Sequence, residues 1–133
     1  PEILTSLKNR EKSIFLDLKL HDIPRTVSNA IKTASEHGVD LMTVHAIGGR
    51  AMLEEAALAA KSCSSPPKIV AVTTLTSLNE RDFNDLGLFR SVEEQAVALG
   101  ELAIKSGIDG LVTSAHEAKT LRSAFPNSIL GLG

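Results

Sequence analysis

Short apolar runs alternate with segments of helical period along this chain, and the alternation limits the folds that it can adopt. The apolar runs predict five strands: 13–20, 40–46, 68–75, 109–114 and 128–133. The other segments predict four helices and, at the start, the tail of an earlier one: 25–37, 48–62, 91–106, 115–125 and 1–10. Strands that are joined by helical crossovers pair in parallel, and the crossovers are right-handed. The sequence therefore predicts an α/β fold around a parallel sheet.

Two architectures share this alternation, an open doubly wound sheet and a (β/α)8 barrel. Neither G-x-G-x-x-G nor G-x-x-x-x-G-K-[ST] follows any predicted strand, which disfavours a nucleotide-binding doubly wound sheet. A complete barrel needs about 250 residues, so a chain of 133 residues would supply roughly half of one. We expect residues 1–133 to form part of a single barrel domain that is incomplete at both ends.

Local patterns mark several helix boundaries. At three predicted helix starts, a serine can accept a hydrogen bond from a backbone N–H while a glutamate three residues later reaches back. These pairs are Ser77 with Glu80, Ser91 with Glu94, and Ser114 with Glu117. Gly38 and Gly107 follow predicted helices and are plausible C-terminal stops. These patterns support boundaries and carry no functional information.

The composition disfavours several kinds of partner. The formal net charge is −2 and no cluster of lysine and arginine stands out, which argues against nucleic acid or a membrane surface. With no Trp, no Tyr and four Phe, few rings are offered for bases to stack on. No stretch approaches the ~20 apolar residues of a membrane span, and no signal peptide is visible. The single cysteine, Cys63, fits a reducing cytoplasm, and no cysteine or histidine cluster suggests a zinc site.

The first predicted strand carries charges in an apolar setting. Side chains alternate across a strand, so the residues of "IFLDLKLHDIP" divide between two faces. One face carries Leu16, Leu18 and Leu20, and the other carries Phe15, Asp17 and Lys19. In a barrel the leucines would pack against the outer helices, and the charges would point inward near the C-terminal mouth, where barrel enzymes hold their active sites. Asp22 follows the strand end, two residues before Pro24.

Two interpretations of this Asp–Lys–Asp array are open. It is a structural ion network or a polar edge, or it is a catalytic array. We favour catalysis, because a second acid stands at the strand end and burying unpaired charges is costly. A carboxylate keeps a neighbouring lysine protonated. Such a lysine can donate a proton to a developing carbanion, which contributes roughly 10²–10⁴ in rate.

The residues "FLDLKLHDIPRT" (15–26) resemble the D-x-K-x-x-D-I-P-x-T signature of the orotidine 5'-monophosphate decarboxylase family. The resemblance continues through 44–49, 71–78 and 106–118. It implies a (β/α)8 barrel, of which this chain would cover the middle half, strands 3 to 6 or 7. It also implies a cytoplasmic homodimer that decarboxylates orotidine 5'-monophosphate to UMP.

The resemblance implies a role for each matching residue. Lys19 would protonate C6 of the pyrimidine after CO₂ leaves, and Asp17 would orient Lys19. Asp22, Ile23 and Thr26 would complete the site of the neighbouring subunit. Thr76 matches a position that hydrogen-bonds the pyrimidine. The family uses no metal and no organic cofactor.

The resemblance is incomplete, and other interpretations stay open. The family's first two strands and its phosphate-binding glutamine and arginine have no counterpart here, so we expect a central part of a longer enzyme that does not catalyse alone. His45 and His21 are further candidates for lining the site, although a packed, hydrogen-bonded His45 is favoured. One alternative is a magnesium-dependent sugar-phosphate decarboxylase or aldolase of the same suprafamily. The other is a non-catalytic half-barrel.

Overall fold

The computed structural model describes residues 13–73, 80–87 and 90–132, which contain one five-stranded parallel sheet in the order β1-β2-β3-β4-β5. The strands are β1 Phe15–Leu20, β2 Leu41–His45, β3 Lys68–Val72, β4 Gly110–Thr113 and β5 Ile129–Leu132. The helices are α1 Pro24–Glu36, α2 Arg50–Lys61, α3 Glu80–Asp85, α4 Val92–Lys105 and α5 Ala115–Ala124. Strands that follow one another in sequential order form an arc of a (β/α)8 barrel, whereas a doubly wound sheet reverses its strand order. The predicted α/β barrel fold is confirmed.

The predicted elements are present, with ends that differ by a few residues. Each predicted strand overlaps an observed one, and a 3-10 turn, Ala46–Gly48, separates β2 from α2 where the sequence predicted a helix from residue 48. The short helix α3 was predicted only through the capping pattern of Ser77 with Glu80, and it begins at Glu80. The predicted helix tail at 1–10 lies outside the described residues.

The helix boundaries follow local chemistry in most cases. Ser91 forms the predicted capping box, because its side chain accepts from the Glu94 N–H at 3.0 Å and the Glu94 carboxylate accepts from the Ser91 N–H. Ser114 does precede α5, but its side chain makes no capping bond, so the prediction of a box there is wrong. Glu117, its expected partner, is 4% exposed. Ser77 lies outside the described residues.

The hydrophobic core lies between the helices and one face of the sheet. The helices supply Val27, Ile31, Met52 and Leu53, and the strands supply Met42, Val44, Ile69 and Leu111; all are at most 1% exposed. Helices α1 and α2 pack against each other as well as on the sheet. Among the described residues, no helix is long and apolar enough to cross a membrane. The core thus lies on the helix side of the sheet and leaves the opposite face open.

Two aspartates fix the strand register at the N-terminal edge of the sheet. Asp40, just before β2, accepts a hydrogen bond from the Ile14 N–H at 2.8 Å. Asp109, just before β4, accepts one from the Ile69 N–H at 2.8 Å. The first carboxylate satisfies the N–H of Ile14, the residue before β1, and the second satisfies that of Ile69, the second residue of β3. The repeated Gly-[Val/Ile]-Asp sequence before these strands therefore sets the pairing of β1 with β2 and of β3 with β4.

The pairing of β4 with β5 depends on a glycine. A Cβ atom on Gly110 would overlap both the carbonyl oxygen and the side chain of Ile129. A Cβ atom on Gly131, also in this strand pair, would meet only Val112 Cγ2 at 3.7 Å. We predict that Gly110→Ala lowers the free energy of unfolding by about 1–3 kcal/mol, since overpacking forces the backbones apart.

Urea unfolding followed by circular dichroism measures this effect. The matched control is Gly131→Ala, which should leave the unfolding free energy unchanged or slightly raised, because alanine restricts the unfolded chain more than glycine does. Equal effects of the two substitutions would contradict the close approach of β4 to β5.

Candidate active site

Strand β1 departs from regular alternation at Lys19. Its register against β2 is regular at Phe15 and Leu16 but shifts before Leu20. Lys19 has a φ of 49°, in the left-handed region that residues with a Cβ atom seldom adopt. A bulge of this kind places extra residues of one strand opposite its partner and redirects their side chains.

Because of the bulge, the predicted position of Leu18 is wrong, whereas the charged side chains lie on the predicted face. Leu16 and Leu20 pack against the core on the helix side as predicted. Leu18, which was expected beside them, is 52% exposed, because it lies within the bulge. The open face nevertheless carries the predicted charges, beside a cleft of about 160 Å³. Its lining includes Phe15, Asp17, Lys19, Thr43, Val70 and Val112.

Asp17 and Lys19 form an ion pair on this face. Lys19 Nζ lies 2.7 Å from Asp17 Oδ2, and the two side chains are 42% and 48% exposed. The hydrogen bond from Lys19, followed by one from Thr43, holds the pKa of the Asp17 carboxyl below its usual range. Ion pairs this exposed contribute little to stability. The pair therefore matters for where it holds the ammonium rather than for folding.

Thr43 is the residue of this cluster that sequence reasoning missed. Its hydroxyl accepts a hydrogen bond from the Lys19 N–H at 2.9 Å and donates one to Asp17 Oδ1 at 2.8 Å. Strand parity was the available signal, since Thr43 lies two residues before His45 on the strand that pairs with β1. The contact itself joins residues 24 and 26 positions apart, so no local pattern reveals it.

The second acid of the motif lies apart from this pair. Asp22 follows β1 and its Oδ1 accepts a hydrogen bond from the Ile23 N–H at 2.7 Å. Within the described part of the chain, no ion pair joins Asp22 to Lys19. Asp22, Ile23 and Thr26 are all exposed, with Ile23 at 64%. The structure thus brings together two of the three predicted charges, and Asp22 faces solvent.

Two histidines stand beside the charged pair at the C-terminal edge of the sheet. The rings of His21 and His45 are 5.7 Å apart between centroids and tilted by 55°. His45 is half-buried, and no hydrogen bond to its ring is found within the described ranges. The hydrogen bond expected of a packed His45 is thus not found there, and its role in lining the site stays a prediction. Burial, and then the nearby His21 and Lys19, lower its pKa.

Two further predictions concern Thr76 as a contact of the pyrimidine and the absence of a metal site. Thr76 lies outside the described residues. Among the residues that are described, no group of three or more His, Cys, Asp or Glu side chains could hold a metal ion.

The sequence is similar to known enzymes over nearly its whole length. A family model described as "Orotidine 5'-phosphate decarboxylase / HUMPS family" matches residues 1–132. The orotidine 5'-phosphate decarboxylase of Gloeothece citriformis is 45% identical over 131 residues, 98% of this chain and 56% of that protein. That of Idiomarina loihiensis is 46% identical over 110 residues, 83% of this chain and 48% of that protein. The chain thus spans about half the length of these relatives.

Solved structures are similar as well. An uncharacterized conserved protein from Geobacillus kaustophilus superposes with a TM-score of 0.92 at 39% identity, over 99% of this chain and 64% of that one. The orotidine 5'-phosphate decarboxylase of Lactobacillus acidophilus superposes with a TM-score of 0.83 at 36% identity, over 92% of this chain and 57% of that one.

The lowered pKa of His45 predicts a pH dependence of stability. The ordinary pKa of histidine is 6.5, so the unfolded chain takes up a proton at a higher pH than the folded chain does. The stabilisation from a neutral His45 is complete above pH 6.5 and is lost as the pH falls through the lower folded pKa. We predict that the free energy of unfolding decreases over this window and that His45→Gln reduces the decrease.

Titration of the histidine ring protons by NMR measures the shift directly. His21→Asn removes one nearby ring charge, so it should move the pKa of His45 back toward 6.5. The control is His116→Asn, which alters an exposed histidine on α5 and should leave His45 unchanged. A His45 ring that titrates at or above 6.5 would contradict its burial.

Proposed function

Because the chain belongs to the orotidine 5'-phosphate decarboxylase / HUMPS family, we propose that it is part of a carbon–carbon lyase that converts orotidine 5'-monophosphate to UMP in cytoplasmic pyrimidine synthesis. The names of its relatives support a decarboxylase. The observation that carries the proposal is the ammonium of Lys19, held 2.7 Å from Asp17 on the open face of the sheet.

The chemistry needs a positive, proton-donating group beside the carbon that loses CO₂. As the bond between C6 and the carboxylate breaks, CO₂ leaves and the electron pair stays on C6. The Lys19 ammonium stabilises this charge as it develops and donates one proton to C6. The neutral lysine then regains a proton from solvent. Asp17 holds the ammonium in place through their hydrogen bond.

The exposed second acid supports a shared site. The side chain of Asp22 does not pair with Lys19 of its own chain in the described structure, and neighbouring Ile23 is a large apolar side chain open to solvent. We propose a homodimer in which Asp22, Ile23 and Thr26 reach the site of the partner. There Asp22 would add a negative charge near Lys19, and Ile23 would cover the pyrimidine.

The other substrate contacts belong to a complete barrel. Thr76 is proposed to hydrogen-bond the pyrimidine, and the ribose and phosphate contacts are proposed to come from barrel strands on either side of this segment. The domain formed by residues 1–133 is therefore proposed to be incomplete at both ends, as its coverage of about half of each relative supports. No metal or organic cofactor takes part in this proposal, because the charged side chains themselves stabilise the carbanion.

A magnesium-dependent sugar-phosphate decarboxylase or aldolase is the second candidate, because the description of the matching family model names a second group, HUMPS, beside the decarboxylases. Such an enzyme would lose activity when EDTA removes the metal ion. The decarboxylase proposed here would keep its activity. A half-barrel that serves only as a scaffold would show no turnover of orotidine 5'-monophosphate with or without EDTA.

We predict that Lys19→Ala in the full-length enzyme lowers kcat for orotidine 5'-monophosphate by at least about 10²-fold, because the proton donor is lost. A spectrophotometric assay of UMP formation measures it. The matched control is Lys105→Ala, which removes another exposed lysine ion pair, 2.6 Å from Glu101 on α4, and should leave kcat unchanged. An inactive wild type would refute the proposed function, and a fully active Lys19→Ala would refute the role of Lys19.

The shared site makes a second prediction. Lys19→Ala and Asp22→Asn should each be nearly inactive alone, because every site then lacks one group. Subunit exchange in an equal mixture makes half of the dimers mixed, and each mixed dimer has one intact site. The mixture should therefore regain about one quarter of the wild-type activity if the dimer is a symmetric pair.

The control for this experiment is each variant mixed with itself, which should regain nothing. Size-exclusion chromatography establishes that the dimers form, and native mass spectrometry with one variant isotopically labelled establishes that they exchange. A mixture of the two variants that stays inactive after exchange would show that Asp22 serves its own chain's site.

A further inference from the structure

We propose that Thr43 is a positioning residue, whose hydroxyl fixes both the Asp17 carboxylate and the bulge that aims Lys19. The proposal rests on the proposed function and extends it to a side chain that does not itself react. Thr43 is not part of the Asp–Lys–Asp signature, and it enters the cluster from the neighbouring strand, β2.

Three hydrogen bonds close a ring around the two charged residues. The Lys19 N–H donates to Thr43 Oγ1, the Thr43 hydroxyl donates to Asp17 Oδ1, and Lys19 Nζ donates to Asp17 Oδ2. The directions are fixed by chemistry, because an amide N–H can only donate and an ionised carboxylate can only accept. The threonine hydroxyl therefore uses its one proton on Asp17 and a lone pair on the Lys19 amide.

Each bond of the ring constrains a different degree of freedom. The bond to the Lys19 amide holds the peptide at the bulge, where the φ of 49° is unfavourable for a residue with a Cβ atom. The bond to Oδ1 fixes the rotation of the Asp17 carboxylate and leaves Oδ2 for the ammonium. Without Thr43, both the strand and the carboxylate would gain alternative conformations.

The contrast in burial makes Thr43 the anchor of the cluster. Thr43 is 1% exposed and lies between Met42 and Val44, which are fully buried. The Asp17 and Lys19 side chains are each nearly half exposed and would otherwise move in solvent. The buried Thr43 hydroxyl therefore restricts the motion of the two exposed charged side chains.

The electrostatic surroundings of Asp17 come from its own strand and from β2. Lys19 on β1 and His45 on β2 are the charged or titratable groups that act on it, and Thr43 adds a hydrogen bond. The bond from Thr43 lowers the pKa of the Asp17 carboxyl. Its removal should raise that pKa, so the lysine would lose its ionised partner at a higher pH.

The test compares Thr43→Val and Thr43→Ser with wild type in the full-length enzyme. Valine keeps the shape and removes the hydroxyl, so kcat should fall by about 10²-fold, as for a displaced reactive group, with little change in KM. In a plot of kcat against pH, the fall on the acid side should also move to higher pH. Serine keeps the hydroxyl and should restore both the rate and the profile.

The matched control is Thr113→Val on β4. Thr113 is also 1% exposed, and its hydroxyl has no hydrogen-bond partner in the described structure. Its replacement should leave kcat and its fall on the acid side unchanged. If Thr43→Val also leaves both unchanged, or if Thr43→Ser is as impaired as Thr43→Val, the positioning role is overturned.

A measurement on wild type alone is independent of turnover and of how the variants fold. The Lys19 amide should exchange its hydrogen slowly, because it is bonded to a buried hydroxyl. Exchange at the rate of an exposed loop would overturn the proposal. A wild type that protects this amide but does not decarboxylate orotidine 5'-monophosphate would instead refute the proposed function and leave the hydrogen-bonded link established.

Discussion

The candidate site depends on the contact between β1 and β2 at Thr43. Parallel strands normally pair through evenly spaced main-chain hydrogen bonds, but here the Lys19 amide is bonded to a side chain on β2. Because the Thr43 hydroxyl takes the place of a main-chain acceptor, β1 can bulge without leaving the Lys19 N–H unsatisfied. The same side chain then holds Asp17, so the irregular backbone and the ion pair are stabilised by one hydroxyl. The geometry of the charges follows from this arrangement.

Interatomic distance alone does not distinguish this ion pair from an ordinary surface pair. Lys105 and Glu101 on α4 lie 2.6 Å apart and are exposed, as Lys19 and Asp17 are. The surface pair joins neighbours on one helix turn, and its side chains have no further hydrogen bond in the described residues. The pair on β1 has a third, buried partner and stands on the open face of the sheet. These two features make it the candidate catalytic pair, because they fix the position of the Lys19 ammonium.

The sequence predicted the fold well because the determinants of the fold are local or periodic. Apolar runs and capping residues lie next to the elements that they define, and the sequential strand order follows from the crossovers. Leu18 was predicted incorrectly because neither a glycine nor a proline marks the bulge. Thr43 was missed because its role depends on residues of another strand. At Ser114 the capping pattern is present in the sequence, but the side-chain bond is not made. Prediction failed where side chains override the regular backbone.

The aspartates before the strands and the aspartate within β1 make different hydrogen bonds. At the N-terminal edge, Asp40 and Asp109 accept hydrogen bonds from the main chain and fix the register of the strands. Farther along the strands, in the middle of β1, Asp17 accepts from two side chains, and one of them is Lys19, one residue before the strand's end. A lysine ammonium has three N–H groups. One donates a hydrogen bond to Asp17, so two remain to bind a negatively charged group. Barrels in general separate stability at one edge from chemistry at the other. In this chain the carboxylates differ accordingly: those before the strands bind backbone N–H groups, and Asp17, within β1, binds the side chains of Thr43 and Lys19.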